Sequence, residues 1–254
     1  MKHIKKFSTG ILYEAFINSQ NFIRPNVSLI KDNNSIMYNP YIEPSNQISY
    51  NFIDLGLPSG TKWANKNLGA ENDYDSGLYF NWANTIGTTT EDIGSYNTAY
   101  RNSSDEYTKY MEDIDGKYIL DLEDDAANVI IGNSAHIPSV NQWKELSDNC
   151  TKTLVSNYNN SGINGLLCTS NINNNSIFLP AAGYFRGSGS GVNISDLTSY
   201  NEDGFYQSNE TYHSWTDDAI YPASFYGGEI YLPDTDSEVW RYWVISIRAV
   251  KDSE

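Results

Sequence analysis

The sequence predicts an α+β chain, with a small helix-plus-hairpin module ahead of a larger domain of short strands, one or two helices and long ordered loops. Three observations carry this. Short apolar or alternating runs recur between turn-forming clusters, among them "GLYFNWAN" (77–84), "SIFLPAAGYF" (176–185) and "YWVISIRAV" (242–250). Helical spacing is confined to residues 8–18 and 139–150. Connections of roughly 20 to 30 residues separate several of the runs, and ordered loops of that length usually carry function.

Taking the elements in order, "STGILYEAFIN" (8–18) offers Ser8 or Thr9 as an N-cap and sets Ile11, Leu12, Phe16 and Ile17 near helical spacing. In "FIRPNVSLIKDNNSIMYNPYI" two apolar runs flank a polar turn from Lys31 to Ser35, the pattern of a β-hairpin. So short a segment buries little core alone, so residues 1–47 read as an attachment or oligomerisation module that packs on a partner or on copies of itself. "EPSNQ" (43–47) is the junction to a domain spanning 48–254. There "ISYNFIDLGL" begins as a strand, "GLYFNWAN" alternates as a partly buried one, and "SVNQWKELSDNC" (139–150) is the best helix. Ser139 caps it, and Val140, Trp143 and Leu146 form its apolar stripe. "SIFLPAAGYF" reads as a buried strand ended by Pro180, and "YWVISIRAV" as an alternating closing strand.

Charge narrows the partners. With 16 Lys+Arg against 32 Asp+Glu the chain carries −16, which repels phosphate backbones and anionic lipid surfaces and argues against nucleic acid. Glu14 interrupts the apolar part of the N-terminus and no small-residue cleavage site follows, so a secretory signal is not expected. No apolar run reaches the ~18 residues that span a bilayer, so membrane insertion is not expected either. Twenty Tyr, six Trp and abundant Asn leave two readings open. They furnish rigid, amphipathic recognition area, or they reflect the codons of an AT-rich genome.

Little here signals catalysis. Cys150 and Cys168, the only cysteines, fit neither a disulfide scaffold nor a C-x-x-C site and are expected free and buried. His3, His136 and His213 lie far apart with no i, i+4 pair, so zinc is not signalled. The acidic runs "DLEDDAAN" (121–128) and "PDTDSE" (233–238) could supply carboxylates to calcium, yet neither follows a calcium-loop spacing. They read as solvated acidic faces, with Asp124 and Asp125 capping a helix that begins at Ala126. No catalytic residue, resident metal or cofactor is expected.

Five motifs in fixed order suggest a family. "DLGLPSGTKWANKNLGA", "GLYFNW", "LEDDAANVIIGNSAHIPSVNQWKELSDNC", "GINGLLCTSNINNNSIFLPAAGYFRGSG" and "RYWVISIRAV" resemble the Fibrobacter succinogenes major paralogous domain over residues 50–250. That family is similar to the C-type-lectin fold of formylglycine-generating enzymes and of the variable proteins of diversity-generating retroelements. The resemblance implies that Pro138 to Leu146 form a helix with Trp143 in the core, that Trp63 packs beneath a loop, and that Arg248 anchors the terminal strand. The sequence departs from the pattern at Ala135, His136, Cys168, Val244 and Ala249. The oxidase branch needs two reactive cysteines in the C-terminal third, and residues 185–254 contain none. The first forty residues look like the leader of gut Bacteroidales and phage surface proteins, which implies assembly into a virion or cell surface and a homo-oligomer.

The resemblance directs attention to residues 205–243, where retroelement-diversified members accumulate substitutions. The expected contact surface comprises Tyr206, Asn209, Tyr212, His213, Trp215, Asp217, Asp218, Tyr221, Tyr226, Trp240 and Tyr242. Ile230, Leu232, Val244, Ile245, Ile247 and Val250 are its expected buried counterparts. The function implied is display of a Tyr/Trp/Asn-rich surface to a host cell-surface glycan or protein, in a phage fibre or tail. A purely structural capsid or fibre decoration is the alternative.

Overall fold

The structure, a computed structural model, describes residues 48–90, 99–102, 106–186, 197–211, 219–226, 229–231 and 239–253, together with the backbone of 30–32 and 35–37. At 219, 221, 226 and 229 it describes the backbone alone. The chain divides into two units, Met1–Ser49 and Tyr50–Glu254. In the first, β1 (Ile30–Asp32) and β2 (Ser35–Met37) pair antiparallel, with Ile30 opposite Met37 and Asp32 opposite Ser35. Lys31, Asp32 and Ser35 thus belong to the ladder and not, as expected, to the turn; a two-residue connection suffices for an antiparallel pair. The helix expected at 8–18 lies outside the described residues.

In chain order the second unit opens with β3 (Phe52–Asp54), β4 (Lys62–Ala64) and β5 (Tyr79–Phe80). Helix α1 (Ala126–Ile131), β6 (Ala135–His136) and helix α2 (Val140–Asn149) follow. Next come β7 (Cys150–Val155), β8 (Gly165–Ser170), β9 (Ser176–Pro180), β10 (Tyr184–Phe185) and β11 (Leu197–Thr198). The unit ends with β12 (Gly204–Thr211), β13 (Ala219–Tyr226), β14 (Glu229–Tyr231), β15 (Val239–Trp240), β16 (Ile245–Ser246) and β17 (Val250–Lys251). The class is α+β with strands predominating. One sheet runs β14-β13-β12-β16-β5 with β15 alongside β13, a second β3-β4-β17-β6, a third β7-β8-β9, and β10 pairs β11. Among the described residues no helix is long and apolar enough to cross a membrane.

Helix α2 follows from its sequence. The Ser139 hydroxyl accepts the Gln142 N–H and the Gln142 side chain accepts the Ser139 N–H, a reciprocal cap that satisfies two otherwise orphaned donors. Trp143 and Leu146 are buried on the face expected. Trp63, at the centre of β4, meets the Trp143 ring edge-on at 4.6 Å, and Trp143 lies 5.7 Å from Tyr206. All three are at most 1 % exposed and share a core with Leu55, Leu146, Leu166 and Phe225. Trp63 therefore packs within a short sheet, between Ile53 on β3 and Val250 on β17, and not merely beneath a loop.

The closing segment departs from expectation. "YWVISIRAV" is not one alternating strand: β16 lies between β12 and β5, whereas β17 lies between β4 and β6. Residues 244–250 are buried throughout, because a segment crossing from one sheet to another is covered on both sides and loses its alternation. Arg248 marks the crossing. Fully buried, it donates from Nε to Asn67 Oδ1 (3.0 Å), from Nη1 to the Ala64 carbonyl (3.0 Å) and from Nη2 to the Phe178 carbonyl (2.8 Å). Desolvation lowers its pKa. These three bonds of Arg248 go to carbonyl and amide oxygens of Asn67, Ala64 and Phe178.

Candidate functional site

The run "VWRYW" (239–243) organises an exposed aromatic stack. β15 pairs with β13, placing Trp240 opposite Ala219 and Val239 opposite Ile220. Alternation then buries Val239 and Arg241 and turns Trp240 outward, where it is 40 % exposed. The Trp240 and Tyr242 rings stack at 5.8 Å and 4°. Behind them the Arg101 guanidinium lies 5.6 Å from the Tyr242 ring and 5.3 Å from that of Tyr107. Arg241 in turn lies 4.0 Å from the Tyr107 ring and 4.9 Å from that of Trp82. Six side chains thus form a ladder of alternating rings and cations, leading from the exposed Trp240 to the fully buried Trp82, whose Nε1 donates to the Ser208 carbonyl. Each such contact contributes on the order of 0.5–2 kcal/mol, more where water is excluded.

Arg241 connects this ladder to an acidic cluster by donating to the carbonyls of Lys109 and Tyr110. Asp121, Glu123 and Asp124 offer carboxylate oxygens within 4.8 Å of one another. The cation they share is the Lys109 ammonium, 2.6 Å from Asp124, 2.9 Å from Asp121 and 3.7 Å from Glu123. Asp124 also accepts hydrogen bonds from Tyr100 Oη and, at 2.5 Å, Tyr110 Oη. Burial pulls the Lys109 pKa down, but the bonds from Asp121 and Asp124 outweigh it and hold the ammonium well above its usual range. Asp121, bonded to Lys109 and Lys117, is lowered to about 2. Calcium, which takes six to eight oxygens, would have to displace this ammonium and two phenol donors.

The acidic reading needs correction accordingly. Asp124 and Asp125 are buried and are not a solvated face. Asp125 alone caps α1, accepting from Asn128 N, while its other oxygen accepts from Ile137 N; burial raises its pKa, partly offset by these bonds. The run 233–238 lies outside the described residues. Beside the cluster opens a cleft of about 630 Å³ lined by residues 116–121 with Glu210 and Thr211. Its floor is backbone: Leu120 N bonds to the Asn209 carbonyl and Thr211 N to the Tyr118 carbonyl.

The eleven expected contact residues separate. Tyr206 is corrected: it is 1 % exposed, donates to the Pro180 carbonyl at 2.7 Å and belongs to the core, because β12 is an interior strand between β13 and β16. Asn209 is half-buried, its backbone joined to Pro138 and Leu120 and its Oδ1 enclosed without a hydrogen-bond partner. Tyr221 and Tyr226 lie on β13, the latter paired with Glu229. Trp240 and Tyr242 form the exposed stack. Tyr212, His213, Trp215, Asp217 and Asp218 lie outside the described residues. Of the buried counterparts, Val244, Ile245, Ile247 and Val250 are fully enclosed, Ile230 is partly so, and Leu232 lies outside the described residues. Sequence reasoning missed Arg101, Tyr107 and Lys109; their one signal was cations interleaved with tyrosines in 100–110.

Cys150 and Cys168 are free and buried in one core, as expected. Burial pushes their thiols up to about 11 and about 12 respectively. No family model, curated protein or solved structure matches the chain.

Proposed function

We propose that the chain is a non-enzymatic ligand-display protein, whose larger unit is a C-type-lectin-like domain presenting aromatic side chains to a host cell-surface glycan or protein. The observation that carries this is Trp240. An indole 40 % exposed, stacked on Tyr242 and braced from behind by Arg101, is an apolar surface held in place before any partner arrives. Such preorganised aromatic anchors supply much of the affinity at recognition surfaces. Two features that the resemblance implies support the reading, the helix bearing Trp143 and the buried, hydrogen-bonded Arg248. The cysteine-dependent oxidase reading gains no support from thiols that are enclosed and held far from ionisation at neutral pH.

The setting we favour is a phage fibre or tail component, assembled through the unit 1–49 as a homo-oligomer. Labelled full-length protein should decorate intact gut Bacteroidales cells, and Trp240→Ala with Tyr242→Ala should abolish that decoration while the chain stays folded. Undiminished decoration by the double variant would overturn the reading. If the fraction of fluorescence that iodide quenches in the isolated oligomer is instead no greater for wild type than for Trp240→Ala, the stack lies between subunits and the decoration-protein alternative takes its place.

A further inference from the structure

The backbone ladder that floors the cleft of about 630 Å³ has an open outer edge. Leu120 N bonds to the Asn209 carbonyl and Thr211 N to the Tyr118 carbonyl, so Ile119 and Glu210 face each other without bonding to each other. In an antiparallel ladder the N–H and C=O of such a residue point to the far side of its own strand. For Ile119 that side is unpaired: among the described residues no hydrogen bond is made by its N–H or its C=O. The residue is 58 % exposed and lines the cleft. The open edge is short. Two residues before it, Lys117 N is closed off by Asp115 Oδ1 at 3.2 Å, and two residues after it, Asp121 N by the Tyr110 hydroxyl at 2.9 Å. One residue of an incoming strand can therefore exchange both backbone bonds with Ile119, and its side chain then lies beside that of Ile119.

Charge selects the occupant. Residues 109–124 hold six carboxylates against two ammonium groups, those of Lys109 and Lys117, so the edge lies in a negative field. Both lysines are already engaged with Asp121, and Lys109 also with Asp124. Glu123 keeps 79 % of its side chain in solvent, and Glu210 lines the cleft. An acidic segment would be repelled here, on a chain that carries −16, and a second copy would bring the same excess of carboxylates to the same edge. A basic segment meets neither obstacle. We propose that this edge binds a short, basic, extended peptide segment of a partner protein, whose central apolar residue pairs antiparallel with Ile119. Backbone bonds of this kind supply affinity wherever a peptide adds to an open strand edge, and the flanking charges supply selectivity. The inference does not rest on the display reading, because the Trp240 stack contributes none of its groups.

Backbone-amide NMR of the full chain, titrated with Ac-Arg-Thr-Val-Thr-Arg-NH2, tests this. The Ile119 amide should shift together with those of Tyr118 and Leu120. Two counter-probes should each bind about tenfold more weakly: the same peptide with N-methylvaline at its centre, which lacks the donor to the Ile119 carbonyl, and Ac-Glu-Thr-Val-Thr-Glu-NH2, of opposite charge. Ile119→Pro deletes the outward N–H and keeps the bonds made by Leu120 N and the Tyr118 carbonyl, so this variant should fold and bind the basic peptide about tenfold more weakly, read from the Tyr118 and Leu120 amides. Glu123→Gln should weaken the peptide about twofold, and Trp240→Ala should leave it unchanged. The inference is overturned if the Ile119 amide does not respond, if the N-methylated peptide binds as tightly as its parent, if the acidic peptide binds in preference, or if Trp240→Ala is the variant that loses the peptide. It is equally overturned if the Ile119 amide shifts with protein concentration when no peptide is present, which would seat a second copy on the edge.

Discussion

Trp63 and Trp240 are the same residue in opposite circumstances. Trp63 has no exposed area, lies edge-on against Trp143 and joins two strands that meet from opposite ends of the domain. Trp240 rests on one ring, with 40 % of its surface in solvent. Their neighbours differ in kind as well. Aliphatic side chains and Tyr206 surround the Trp63–Trp143 pair, whereas the Trp240–Tyr242 pair is backed by the Arg101 guanidinium. An aliphatic core stabilises the fold by excluding water; a ladder of rings and cations keeps a surface ring in place without burying it.

The largest expected effect breaks the buried member. Trp63→Ala should cost about 3–5 kcal/mol, because the cavity would be enclosed by Trp143, Ile53 and Val250 with little room to collapse. Urea unfolding followed by circular dichroism reads this as a lowered midpoint with the slope unchanged. A loss below about 1 kcal/mol would mean that the two strands flanking β4 do not depend on the indole.

A middle-sized effect lies behind the Trp240 stack, in the cluster that receives Arg241. Lys109→Met should cost about 1–3 kcal/mol, less than a fully buried pair, since Lys109 and Asp121 retain 19 % and 31 % side-chain exposure. Adding Asp124→Asn should restore part of the loss, a non-additivity that a thermal-melt double-mutant cycle measures. The pH dependence is signed. Asp121 is lowered from 3.8 to about 2 in the folded state, so its contribution is present above pH 4 and is lost as pH falls through 2. Lys109→Met should flatten this acid limb. At the other extreme Cys168 is raised from 9.0 to about 12 by burial, so its contribution is complete below pH 9 and disappears as pH rises towards 12. Cys168→Ala should reduce the alkaline slope and leave the acid limb as it was.

Local chemistry was legible where neighbours in sequence are neighbours in space. Ser139 and Gln142 announced the helix cap, and Trp143 with Leu146 its buried stripe. What escaped were partnerships across distance. Nothing in 121–125 says that Lys109 neutralises it, and nothing in "YWVISIRAV" says that the segment changes sheets at Arg248. Tyr206 sits in an aromatic-rich run like the others, yet a strand with neighbours on both sides leaves it no solvent. The asparagines, which composition could assign to recognition or to codon bias, have structural work in the described residues. Asn157, Asn159, Asn160, Asn174 and Asn201 adopt positive φ, which Asn tolerates better than most residues, and the Asn173 and Asn175 amides both donate to the Asp54 carbonyl.

The smallest effect on stability is expected where the effect on binding is greatest. Trp240→Ala removes a ring that already meets water, so its stability cost should stay within about 1 kcal/mol, most of it the lost stacking on Tyr242. Arg101→Ala should act indirectly: with the cation gone from behind Tyr242, the Trp240 ring gains freedom that a partner must then remove on binding. 19F NMR of a chain in which Trp240 alone is replaced by 5-fluorotryptophan would show a narrower resonance, and so faster local motion, in Arg101→Ala. Decoration of cells should weaken by about tenfold in that variant and not vanish as in the double stack variant. An unchanged 19F linewidth would make the ladder a static packing motif, leaving Trp240 held by Tyr242 and β15.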